Sequence, residues 1–161
     1  MIFRSKSRRF AGYDYRSPGA YFITVKTYGN RMIFGNVHEG MTFLNAYGRI
    51  VLDEWKRISN VRENVRTAEC SLTPDHIHGI LDILPYRHIE SIQPEFTLRS
   101  GSIGAIIGQF KSRVTKRIRH LTDNPHFVVW QTNYHDHIIR SATERERIRR
   151  YIHDNPKYFH P

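Results

Sequence analysis

The spacing of apolar and polar positions changes period several times along the chain. From His76 to Leu84 the period is two, in His76-Ile77-His78-Gly79-Ile80-Leu81-Asp82-Ile83-Leu84. Successive side chains of a strand point to opposite faces. A strand here puts His76, His78, Ile80 and Asp82 on one face. Ile77, Leu81 and Ile83 form the other, which is apolar and fit to pack on helices. Thr73-Pro74-Asp75 reads as a turn into this strand, and residues 64–72 as its hairpin partner. Tyr21 to Tyr28 is rich in β-branched and aromatic residues and reads as a central strand, ended by Gly29-Asn30. Residues 32–37 and 41–44 read as a small hairpin across His38-Glu39-Gly40. Val128 to Arg140 reads as a last strand, with Trp130, Tyr134 and His137 along it.

Three segments carry the helical period. From Tyr47 to Ile58 the core stripe is Val51, Trp55 and Ile58. Over residues 101–121 the stripe is Ile103, Ile106, Ile107, Phe110, Val114, Ile118 and Leu121. Arg113, Lys116, Arg119 and His120 lie opposite it, with Lys111 and Arg117 flanking. That face holds no acid, which suits contact with phosphates. The third helix opens on the capping-box pattern Ser141-Ala142-Thr143-Glu144. It stops at Asn155-Pro156, because a residue before proline disfavours the helical region. Ile148, Tyr151, Ile152 and Asn155 share one of its faces. Residues 85–100 have no period and read as a loop. The order of elements predicts an α+β, ferredoxin-like (RRM-like) sandwich. Its sheet is mostly antiparallel, with helices on one face and the histidine pair on the other.

Composition narrows the function. The 161 residues suit one domain over 1–161, with 1–18 as a basic N-terminal arm. Lys and Arg number 25 against 15 Asp and Glu, a formal charge of +10. A polyanionic partner is the usual reason for such an excess. In the arm, Arg4, Arg8 and Arg9 are interleaved with Phe3, Phe10, Tyr13 and Tyr15, a mix that can pair with phosphates and stack on bases. No apolar run approaches the roughly 20 residues of a membrane span. The arm lacks the apolar stretch of a signal peptide. Cys70 is the sole cysteine, which excludes an internal disulfide and fits a reducing cytoplasm. No small-molecule substrate is indicated.

His76 and His78 supply half of a metal site at bidentate spacing. The residues leave the third ligand open. Asn155 or Asp82 would bring an oxygen suited to a harder divalent ion, and Cys70 would suggest a zinc-stabilised structural site. A tyrosine hydroxyl can attack phosphorus when a divalent ion polarises the phosphate, which splits the transfer into two covalent steps. Metal ligands, tyrosines and a basic surface are all present here. A binding protein that holds DNA or structured RNA without cutting it is the competing class.

The motifs match a known family. The chain resembles the single-tyrosine HUH transposases, most closely the REP-associated tyrosine transposase branch. The resemblance rests on "LTPDHIHGILDI", "GYDYRSPGAYFITVKTYGNRMIFG", "GSIGAIIGQFKSRVTKRI", "VWQTNYHDHIIRS" and "IRRYIHDNPKYF", in that order. It implies a ferredoxin-like nuclease in which His76 and His78 are metal ligands and Asn155 is the third. Tyr151 matches the nucleophile. Mg2+ or Mn2+ is the implied cofactor, and single-stranded DNA with hairpin ends the implied substrate. The tyrosine becomes joined to a 5′ phosphate and leaves a free 3′ hydroxyl. Lys111, Arg113, Lys116 and Arg117, with Arg4, Arg8 and Arg9, are the expected DNA contacts. Relatives act as monomers or as homodimers that swap the tyrosine helix. A cytoplasmic, nucleoid-associated location in a bacterial-type cell follows. His137 also matches a family position, without an assigned role. The site is complete only if the C-terminal helix packs over the open sheet face.

Overall fold

The chain order of elements in the computed structural model, which describes residues 17–85 and 101–159, is β1 (Gly19–Lys26), β2 (Gly35–His38), β3 (Met41–Leu44), α1 (Ala46–Val61), β4 (Val65–Leu72), β5 (His76–Ile83), α2 (Ile103–Thr122), β6 (His135–Ile139) and α3 (Ala142–Asp154). A 3-10 turn, Asn155–Tyr158, follows α3 directly. The main sheet has the order β4-β5-β1-β6, and every neighbouring pair is antiparallel. With β2 and β3 set aside as an insertion, this is the ferredoxin-like βαββαβ arrangement that the sequence predicts. The expected loop over 85–100, apart from Pro85, and the basic arm, apart from Ser17 and Pro18, lie outside the described residues. Among the described residues no helix is long and apolar enough to cross a membrane.

Alternation along β1 and β5 explains the layering. Tyr21, Ile23, Val25, Ile77, Leu81 and Ile83 are buried against Val51, Trp55 and Ile58 of α1 and the Ile/Phe stripe of α2. Gly79 lets this happen. A Cβ built there would come within 2.3 Å of the Trp55 ring, so the indole lies directly on the strand next to His78. Gly79→Ala should cost about 1–3 kcal/mol through overpacking, read as a lower denaturation midpoint. An unchanged midpoint would show that Trp55 yields freely.

Two readings change. Leu121 is not part of the α2 core stripe; it is 54% exposed, one turn beyond Ile118 where the helix outruns its partner. The last strand is shorter than Val128 to Arg140. Trp130 makes one bridge with Thr27, and regular pairing resumes only at His135. Lys111 explains the break, since its Nζ donates to the carbonyls of Gln131 (2.6 Å) and Thr132 (2.9 Å) and draws that segment towards α2.

The acid-free face of α2 borrows acids from α1. Glu54 is buried and accepts from Arg113 Nε at 3.1 Å and Arg117 Nη1 at 3.0 Å. These two arginines therefore fasten the helices together. Of the helices among the described residues, α1 and α2 share the apolar face. Helix α3 lies on the histidine face, where Ile148 and Ile152 close a second, smaller cluster with Phe22 and Ile80.

Candidate active site

The histidine pair is anchored from behind. His76 follows a turn closed by Thr73 N donating to its carbonyl at 2.9 Å. Its Nδ1 lies 2.6 Å from Asp75 Oδ1 and 2.9 Å from Thr73 Oγ1. Burial pushes the Asp75 carboxyl up, but hydrogen bonds and charge from His76, with Thr73 and Lys26, outweigh it and hold its pKa below the usual value. Asp75 is thus a carboxylate that accepts from His76 Nδ1–H, which leaves the Nε2 lone pair facing out. His78 Nδ1 sits 2.7 Å from Thr24 Oγ1 on the neighbouring strand. Burial, then the charges of His76 and Lys26, press the His78 pKa well below the ordinary imidazole value. The ring is therefore neutral at pH 7. The two ring centroids are 4.4 Å apart.

Helix α3 brings the rest. Ile148 and Ile152 seat it on the sheet, and three polar contacts fix its angle. Arg145 donates to both oxygens of Asp82, at 2.6 and 2.8 Å. Arg149 Nε meets Glu69 Oε1 on β4 at 2.7 Å. At the helix start, Glu144 N donates to Ser141 Oγ, while its carboxylate accepts from Arg140 N and from His137 Nε2, both at 2.7 Å. His137 is therefore tied to the capping box and helps to place the start of α3.

With the helix so placed, Tyr151 Oη lies 3.5 Å from His78 Nε2 and its ring stands edge-on to Phe22. Asn155 caps α3, and its Nδ2 donates to His76 Nε2 at 3.0 Å. Burial raises the Tyr151 pKa, so the phenol is protonated at neutral pH. Residues more than 70 positions apart in sequence thus meet at one point, on a single chain.

The donor set fits a divalent cation. Both Nε2 atoms point to the same side, and half a turn of the Asn155 amide exchanges Nδ2 for Oδ1 as the group presented to them. Nδ1 anchoring by a carboxylate is the arrangement that orients metal-binding histidines. Asp82 is committed to Arg145. Cys70 pairs in register with Gly79 and packs into the apolar core, on the opposite face from the histidines. Among the described residues no group of three or more His, Cys, Asp and Glu could hold a metal. The amide of Asn155 lies on the Nε2 side of the pair, where its oxygen can join the two imidazoles. Asp75→Asn should weaken divalent-metal affinity by about 10–100-fold, measured by calorimetric titration, because an amide cannot hold the His76 tautomer as a carboxylate does.

The expected DNA contacts are not gathered at this point. Lys111 and Lys116 line an open cleft with Arg119, His120 and Trp130, on the helix-covered face of the sheet. Arg113 and Arg117 serve Glu54, and Arg4, Arg8 and Arg9 fall outside the described residues. Sequence reasoning missed the supports: Asp75, read as a turn residue, Thr24, and the Asp82–Arg145 pair. Thr24 was findable, since it sits three residues after Tyr21 in a strand whose odd positions are apolar. Its partner required the register.

No protein-family model matches the chain. A protein of Haemophilus influenzae, described as "Uncharacterized protein", is 33% identical over 168 residues, covering 96% of this chain and 89% of that one. Among solved structures, a REP-associated tyrosine transposase bound to a REP hairpin superposes with a TM-score of 0.56 at 18% identity, over 91% of this chain and 72% of the other. A putative transposase from Deinococcus radiodurans gives a TM-score of 0.48 at 18% identity, over 89% and 94%. The chain belongs to one family with the Haemophilus influenzae protein, and its fold is transposase-like.

Proposed function

We propose that the protein is a metal-dependent endonuclease and strand transferase of the tyrosine HUH type, acting on single-stranded DNA flanked by a hairpin. One observation carries the reading: Tyr151 and Asn155 reach His78 and His76 from a helix at the other end of the chain. The structural neighbour bound to a REP hairpin, and the net charge of +10, support DNA as the substrate. His76, His78 and, through its Oδ1, Asn155 would hold Mg2+ or Mn2+, and the cation would supply Lewis-acid polarisation of the scissile phosphate and offset charge on the departing oxygen.

The chain's own residues do the rest. Phe22 and His78 hold the Tyr151 ring so that Oη faces the phosphate. As Oη bonds to phosphorus, the bond from phosphorus to O3′ breaks. The phenol proton passes to water, and O3′ leaves as a hydroxyl after taking a proton from water. The product is a 5′-phosphotyrosine and a free 3′ end. Attack by a 3′ hydroxyl on that phosphotyrosine reverses the step and restores Tyr151. The ester bond is conserved throughout, so no external energy source is needed.

The test is a labelled, hairpin-flanked single strand incubated with the protein and Mn2+ or Mg2+. A covalent protein–DNA adduct, absent when EDTA is added, is the expected outcome. Binding without adduct or cleavage over hours would overturn the nuclease reading in favour of a non-cutting DNA- or RNA-binding protein.

A further inference from the structure

On the histidine face of β1, side chains alternate as Phe22, Thr24 and Lys26. The first two already touch the site: Phe22 lies 5.3 Å from the His78 ring and Thr24 bonds its Nδ1. Lys26 is next in that row and pairs directly with His76 across the ladder. Directly opposed side chains of an antiparallel pair share a face, with Cβ atoms about 4.5–5.5 Å apart. Lys26 is half-buried. Its charge is felt by both Asp75 and His78. Yet among the described residues its ammonium has no ion pair or hydrogen bond. The nearby carboxylate, Asp75, turns its Oδ1 to His76 and Thr73 rather than to this ammonium. The ammonium thus stands beside two histidines on a rigid strand with its three donors unfilled among the described residues.

We propose that Lys26 is a catalytic residue: its ammonium binds a non-bridging oxygen of the phosphodiester attacked by Tyr151 and stabilises the charge that gathers there in the transition state. The inference rests on the nuclease reading above. Lys26 forms and breaks no covalent bond in the step. It adds a fixed positive charge in a partly dry site, where such a charge is worth far more than in water. Its place at the β1 end puts it level with His76, the member of the pair farther along the strand from the Asp82–Arg145 contact. The phosphate would therefore lie between α3 and the end of β1, with Lys26 at its outer edge.

Two readouts test this. In single-turnover reactions at saturating DNA and metal, Lys26→Met should slow adduct formation by about 100-fold, as loss of one transition-state donor does. Lys26→Arg should recover much of the rate, since it restores the charge. The metal concentration for half-maximal rate should not rise in Lys26→Met. In a Tyr151→Phe background, which cannot react, adding Lys26→Met should reduce the slope of log affinity against log salt by about 0.7, the value for one phosphate contact on a single strand. A Lys26→Met rate equal to wild type, or a loss that extra metal restores, would overturn the assignment and leave the nuclease reading standing. A wild-type protein that forms no adduct overturns both. Should Lys26→Met fold poorly, Lys26→Gln keeps length and polarity without charge and must show the same loss.

Discussion

Tyr151→Phe protein should form no detectable covalent adduct on a hairpin-flanked single strand, while still binding it. The substitution removes one oxygen and little else. The phenol is already neutral at pH 7, because burial raises its pKa. Phenylalanine therefore keeps both the charge and the edge-on packing against Phe22. Its contact with the histidines, from Oη to His78 Nε2 at 3.5 Å, is at the outer limit of a hydrogen bond. Stability and DNA affinity should stay close to wild type. Chemistry should not, since the other hydroxyl on α3, that of Thr143, lies two turns before Tyr151, in the first turn of the helix. Tyr158 is 73% exposed on the following 3-10 turn, and Tyr134 precedes β6. Gel analysis of the trapped complex reads the result. An adduct that persists would remove Tyr151 from the nucleophile's place and direct attention to those two tyrosines.

The sheet and its sidedness were legible because the chain is locally consistent. His76, His78, Ile80 and Asp82 alternate with Ile77, Leu81 and Ile83, and that pattern alone fixes which face the imidazoles take. Tyr151 and Asn155 were legible as a pair for a similar reason, since one helical turn separates them and Pro156 ends the helix just beyond. What was not legible depends on register and on contacts between distant segments. Nothing local marks Arg145 as the partner of Asp82, 63 positions away. Nothing local shows that Glu54 will claim Arg113 and Arg117, so the α2 face read as free. The last strand was overextended because Trp130 and the residues near it look like strand. Their path is set by Lys111, which reaches across from another element.

The placement of α3 decides whether Tyr151 can work, and that placement depends on very little apolar surface. Only Ile148 and Ile152 are buried on this helix. Two side chains can hold a helix down but leave it free to pivot. The bidentate Arg145–Asp82 contact removes that freedom, because a planar guanidinium meets a carboxylate in one orientation. Asp82 is two pairs along the same strand face from His78, so the contact measures the helix against the histidines directly. Arg145→Ala should slow adduct formation by about 100-fold, the cost of a displacement near 1 Å in a reacting group. DNA affinity and metal affinity should change little, since neither group contacts the histidines. The half-exposed pair should contribute modestly to stability, so the rate should fall far more than the melting temperature does. The exchanged pair Asp82→Arg with Arg145→Asp is the decisive variant. Each single change sets two like charges against each other, whereas the double change rebuilds the contact with its polarity reversed. Recovery of the rate in the double variant would show that the contact acts by position. A rate unaffected by Arg145→Ala would mean that Ile148 and Ile152, with Arg149 on Glu69, orient the helix without it.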